Sequence, residues 1–481
     1  MSKYYATIGL EMHCEGSETN SKVFSSGRNE YTEESNSNIS PVDMAFPGIL
    51  PVVNKKAVEQ SIMMASILHA RIPEYMYWER KNYYYPDLPK GYQITQNPPE
   101  ECVGNGGYID IERDDGSTFR VDIDNLHLEE DAAQLTHLYD TSTINYNRAG
   151  NPLFELVTGP CLHSADDAVT FLEYMRAVYQ YCGISEADSK KGHLRCDVNI
   201  SISDDPNTLG TKVEIKNVNS FSSVRDAINY EIQRQTDLKD DGREDEIEQE
   251  TRRWDESSMS TVHMRSKVDA IDYKYFVEPN IPRIKLTPEW IKEIQDSIPE
   301  LPYERKEKYM TKLGLSAYDA GIIVKEKPTA DYFEECVELG VDPKTAANWL
   351  CTQILGYLYQ EELNIQDLYL TPEYLKQITD AVKSGDISSK QAKEVFALVL
   401  EEKDEPNSIM EKHGIKQMSD DGALLDIVIK VLDNSESQIN QYKSGQTNLF
   451  NYFVGQVMKE TKGQANPVKL KEMLDQELAK R

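Results

Sequence analysis

The 481-residue sequence contains no run approaching the ~20 apolar residues that a membrane-spanning helix needs, so no membrane partner is expected. Its first residues, MSKYYATIGL, lack a basic stretch followed by an apolar core, so the chain is expected to stay cytoplasmic. Cysteine is sparse. The seven present, Cys14, Cys102, Cys161, Cys182, Cys196, Cys336 and Cys351, are odd in number and never spaced C-x-x-C, which argues against a disulfide framework and against a zinc ribbon. No Walker-type or dinucleotide-type glycine loop occurs, so any ATP site must be of another kind. Positive charge is also short: 52 Lys and Arg against 82 Asp and Glu leave a formal net charge of −30, which counts against nucleic acid as a partner of the whole surface. A basic patch on one module can still outweigh an acidic remainder when the ligand touches only that patch.

What is present is an ordinary folded composition, 39% apolar and 28% charged, in a chain too long for one hydrophobic core. We read an α+β architecture in three parts. Residues 1–290 alternate as strands, broken by Gly/Pro/Asn turns and two helices; one is capped by Ser164 and carries Val169, Leu172, Met175 and Val178. Thr287-Pro288 and Thr371-Pro372 are cap-plus-proline helix starts, and strand-like alternation fades beyond the first, giving an all-helical region over 291–405. Residues 406–481 form a small helical tail, in which NLFNYFVGQVMKETKG carries Leu449, Phe453, Val457 and Met458 on one stripe and Asn466-Pro467 starts the final helix. From Lys443 onward Lys and Arg outnumber the acids, so a polyanion would land there.

Polar faces at two-residue spacing recur in the first part. IGLEMHCE aims Glu11, His13 and Glu15 one way and Leu10, Met12 and Cys14 the other; HLEED carries His127, Glu129 and Asp131. LRCDVNISI carries Arg195, Asp197, Asn199 and Ser201, and KVEIK carries Lys212, Glu214 and Lys216. Carboxylates with one imidazole suit Mg²⁺ or Mn²⁺ better than zinc, although such a face also serves simply to meet water. ERKNYYYPDLPKGYQITQ sets Arg80, Lys81 and Lys90 among Tyr83, Tyr84, Tyr85 and Tyr92, a set that can hold phosphate and stack a base or can make a packed turn. INYNRAGNPLFELV delivers Arg148 and Glu155 from the two sides of a Gly-Pro turn, and QETRRWDE adds two adjacent guanidinium groups.

In this order these stretches, with FPGILPVVNKKAVE, GTKVEIKNVNSF, DYKYF, ELPYERKEKY and VGQVMKETKGQANP, resemble the B subunits of tRNA-dependent amidotransferases over nearly the whole chain. The resemblance implies a cradle-shaped catalytic domain, a helical domain and a tRNA-binding tail, in a heterotrimer with an amidase-type A subunit and a small C subunit. It implies a ligase that binds ATP and Mg²⁺, phosphorylates the side-chain carboxylate of Glu-tRNA(Gln) or Asp-tRNA(Asn), and amidates it with ammonia that the amidase-type partner frees from glutamine. Glu11, His13, Glu129 and Glu155 occupy the family's magnesium-binding positions, Glu129 being preferred to Glu130 because it shares a face with His127. For nucleotide and phosphate contacts, charge and motif membership nominate Lys81, Tyr83, Lys90, Arg148, Lys212 and Lys216. For the ammonia passage the polar faces nominate Arg195, Asp197, Asn199, Glu214 and Asn217, and for tRNA the tail nominates Lys459, Lys462, Gln464 and Asn466. Some family members hold zinc through four cysteines; here Ser25, Gly27, Ser40 and Asp43 stand at those positions, so no structural zinc is expected. YFVEPN replaces the usual YFPEPD, and a diverged, non-catalytic tRNA-binding or assembly subunit is the alternative reading.

Overall fold

The alternation of IGLEMHCE is realised as strand β1 (Tyr5–Glu15), which buries Ile8, Leu10, Met12 and Cys14 and turns Glu11 and His13 to the opposite face. The computed structural model describes all residues except 1–2, 114, 189–190, 219, 267–271, 417–420 and 462–464. It divides into two compact units, Met1–Arg305 and Lys306–Arg481.

In the first unit, β1 lies inside a nine-stranded sheet with β2 (Gly104–Asn105), β3 (Tyr108–Glu112), β4 (Thr118–Glu130), β5 (Pro152–Thr158), β6 (Leu194–Ser203), β7 (Val213–Val218), β8 (Glu250–Asp255) and β9 (Ser260–Ser266). The order is β9-β8-β7-β6-β1-β5-β4-β2, with β3 also on β4. Neighbours are antiparallel as expected, with one difference: β7 and β8 run parallel. A helix stands between them in the chain, and such a crossover returns the chain in the same direction, which a hairpin cannot do.

Three helices, α1 (Lys55–Ile67), α2 (Ala165–Tyr181) and α3 (Phe221–Asp240), bury their apolar stripes in the core beneath this sheet. Ser164 caps α2 by accepting from the Asp167 amide at 3.1 Å, and Val169, Leu172, Met175 and Val178 all reach the core. At ~1.5–3 kcal/mol per fully buried large apolar side chain, such a stripe holds the helix to the sheet far more strongly than its cap does. Helix α4 (Pro288–Asp296), capped by Thr287, packs Ile294 into the same core. The unit also holds a small three-stranded sheet, Phe276–Val277, Glu79–Asn82 and Tyr92–Thr95, and two two-stranded ones, Tyr75–Met76 with Ile284–Lys285 and Gln134–His137 with Ser142–Asn145. Between β1 and α1, residues 16–54 form neither helix nor strand beyond an isolated Ser21–Arg28 bridge.

The second unit is helical in its described residues. Thr371 caps α5 (Pro372–Ser384), its hydroxyl accepting from the Tyr374 amide at 3.3 Å. Near the chain end, α6 (Leu449–Glu460) and α7 (Pro467–Lys480) share a separate core in which Leu424, Val428, Phe453, Val457, Leu470 and Leu474 are buried.

Candidate functional site

Sheet register gathers the polar faces into one row. His13 of β1 stands opposite Glu155 of β5, and Glu155 stands opposite His127 of β4. On the other flank Glu11 pairs in register with Asp197 of β6, and His13 with Arg195. The His13 Nε2 lies 3.5 Å from Glu155 Oε2 and 3.7 Å from Glu11 Oε1. Glu11, His13 and Glu155 each offer a ligand atom within 4.8 Å of the others, the one such group among the described residues. Glu129 is not part of that trio, but it is buried on the same face, where its Oε2 accepts from the Thr95 hydroxyl at 2.6 Å. Glu130 turns the other way, to Lys90 and the Ile94 amide.

Crowding of carboxyl groups sets the electrostatics. Burial pushes Glu129 up to about 8, reinforced by the charge of Glu155, and burial likewise raises Glu11. Burial works to lower His13, but its pairing with Glu155 and the charges of Glu129 and Glu11 carry it up to about 9. Burial works to raise Glu155, and its partnership with His13 holds it down at about 2. His127 is depressed by burial, and its Nε2 is buried without a hydrogen-bond partner among the described residues. A face with this much carboxylate calls for positive charge, and oxygen ligands with an imidazole, plus an unsatisfied second imidazole nearby, fit a hard divalent cation. Sequence reasoning gives neither His127 nor Thr95 a role at this face; the His127-x-Glu129 alternation is a signal for the first, and nothing local marks the second.

The nominated cations fall into different roles. Lys81 feels the acids: burial works against its charge, while Glu129 and Glu155 favour it, and its ammonium sits 5.1 Å from the Tyr273 ring. Tyr83 packs edge-on against Tyr273 with centroids 6.0 Å apart. Lys90 is engaged by Glu130 and Arg148 by Asp131 at 3.2 Å, the latter carboxylate also taking Arg195 at 2.7 Å. Lys216 binds Asp197 at 2.6 Å and Glu214 at 3.4 Å. Lys212 is exposed and lies just ahead of β7, not within it. Among the residues nominated for a passage, Asn199 leaves its Oδ1 buried without a partner among the described residues, and Glu214 accepts from Thr251 at 2.7 Å. The Asn217 side chain lies outside the described residues.

In the tail, Lys459 is exposed, whereas Asn466 uses its Oδ1 to cap α7 at the Lys469 amide, 3.3 Å away. Lys462 and Gln464 lie outside the described residues. Ser25, Gly27, Ser40 and Asp43 do come together, but with no thiol or imidazole among them they do not fit zinc.

Two family models match the chain: the GatB/GatE catalytic domain over residues 6–292 and the GatB domain over residues 331–478. Among curated relatives, the B subunit of the aspartyl/glutamyl-tRNA(Asn/Gln) amidotransferase of Persephonella marina is 44% identical over 99% of this chain and 100% of its own length. The corresponding B subunits of Lysinibacillus sphaericus and Staphylococcus aureus are 42% and 43% identical, each again covering 99% of this chain and 100% of the relative. The first match contains the whole Glu11, His13, Glu129 and Glu155 face, and the two together span most of the sequence; the chain belongs to the GatB/GatE family, the B subunits of tRNA-dependent amidotransferases.

Proposed function

We propose that this chain is the ATP-dependent activating subunit of a glutamine-dependent carbon–nitrogen ligase, acting on the side-chain carboxylate of misacylated Glu-tRNA(Gln), Asp-tRNA(Asn) or both. The observation that carries the reading is the half-buried Glu11, His13 and Glu155 trio, with Glu129 on the same sheet face and Lys81 of the small three-stranded sheet held charged by Glu129 and Glu155. A carboxylate is a poor acceptor for ammonia, and converting it to an acyl phosphate supplies a leaving group; phosphoryl transfer then depends on position and on compensating charge.

Glu11, His13 and Glu155, with Glu129, would hold Mg²⁺, which when bound offsets charge on phosphate oxygens. Lys81 adds a cation that its acidic neighbours keep protonated, and the Tyr83–Tyr273 pair offers ring surface to the nucleotide. Lys90, Arg148, Lys212 and Lys216 complete the proposed phosphate contacts, the paired ones by exchanging a carboxylate partner for phosphate. Arg195, Asp197, Asn199, Glu214 and Asn217 would line the approach of ammonia from an amidase-type partner, the unsatisfied Asn199 oxygen accepting its N–H. A small third subunit completes the proposed heterotrimer, and Lys459, Lys462, Gln464 and Asn466 serve the tRNA. The test is Mg-ATP-dependent amidation with ammonium by the chain and its co-purified partners. Amidated tRNA and ADP in equal amounts, both lost in Glu11→Ala, support the reading; tRNA binding without either product favours the non-catalytic role instead.

A further inference from the structure

Residues 16–54 must be held without helix or strand hydrogen bonding, and a lysine sits where they are held. The Lys22 side chain is 0% exposed and Asp43 beside it 2%, with Nζ–Oδ2 at 3.3 Å. Asp43 also accepts from the Ser25 hydroxyl at 2.7 Å and the Ser40 amide at 2.8 Å. Gly27 closes over the pair: an added Cβ would come within 2.6 Å of Asp43 Oδ2 and 3.0 Å of Lys22. A buried ammonium is costly unless its protons are used, and here they are. Lys22 donates to the Ala149 carbonyl at 2.6 Å and the Tyr146 carbonyl at 3.4 Å.

Those carbonyls belong to the turn that carries Arg148 and leads into β5, the strand of Glu155. The same turn is bonded to the loop by Val23 N to Gly150 O at 3.0 Å, Asn38 N to Asn147 Oδ1 at 2.9 Å and Tyr146 N to Asn36 Oδ1 at 2.7 Å. Gly150, at φ +86°, lies against the pair, and a Cβ added there would stand 2.9 Å from Asp43 Oδ1. We propose that the Lys22–Asp43 pair is a fixed internal cation site that joins residues 16–54 to the 146–150 turn, making Lys22 a positioning residue for Arg148 and Glu155. The consequence for catalysis rests on the function proposed above; the structural coupling does not.

The experiment compares wild type with Lys22→Met/Asp43→Leu, an uncharged pair chosen because apolar replacement of both partners of a buried ion pair tends to preserve folding. Amide hydrogen exchange is followed at Tyr146, Ala149, Gly150 and Asn151, with Mn²⁺ binding by electron paramagnetic resonance and kcat and KM for ammonium-dependent amidation by the complex. Exchange at these amides should rise about tenfold or more, as loss of a charged hydrogen bond implies, with weaker Mn²⁺ binding and a lower kcat. Faster exchange confined to 16–54, with wild-type Mn²⁺ binding and kcat, would overturn the proposal. If the double variant does not fold, Asp43→Asn is judged by the same readouts. If wild type neither binds Mn²⁺ nor forms product, the functional reading fails and exchange at the turn alone decides this one.

Discussion

Glu155 is the residue on which the site's electrostatics turn, since it both pairs with His13 and raises Glu129. Glu155→Gln removes the carboxylate charge opposite His13 and should lower ammonium-dependent amidation about 100-fold or more, measured as initial rate at saturating Mg-ATP. Asp131 carries a different kind of load: burial opposes its charge, but Arg195 and Arg148 hold its carboxyl below the usual range. Its stabilising contribution is therefore full above the unfolded carboxylate value near ~4 and is lost as pH falls through the lower folded value. Asp131→Asn should cost about 2–3 kcal/mol at pH 7, less than a fully buried pair because both arginines are partly exposed. Thermal unfolding should show the gap between variant and wild type closing as pH falls below ~4.

At the scale of elements, local signals translated well. Thr287-Pro288 and Thr371-Pro372 start helices because cap and proline act within a few residues of themselves. Two-residue spacing placed Glu11 and His13 on one face for the same reason, and register then set them beside Glu155. Lys90 shows what spacing conceals: nominated for phosphate among tyrosines, it is engaged by Glu130, forty residues along the chain. The parallel β7–β8 pair was equally hidden, since direction depends on where α3 carries the chain and not on either strand's own residues. Lys22 and Asp43 are again distant in sequence and joined only by folding. In the tail, Phe453 is fully buried in a core of its own. Phe453→Ala should cost about 3–5 kcal/mol, read as loss of amide protection over α6 and α7 with the sheet unit unchanged.

For the whole molecule, a net charge of −30 and a basic chain end mean that a polyanion would be received locally and repelled elsewhere. Lys459→Glu should weaken tRNA binding with little dependence on its sequence, and reduce the slope of log affinity against log salt by roughly one. Whether the acid and histidine face activates a carboxylate on tRNA is decided by counting product and spent nucleotide together. The chain, purified with its partners, is given Glu-tRNA, then Asp-tRNA, with Mg-ATP and ammonium, and amidated tRNA and ADP are both counted. Equal amounts of the two, absent in Glu11→Ala, are the predicted result; tRNA bound tightly by wild type with neither product formed from either substrate would contradict it.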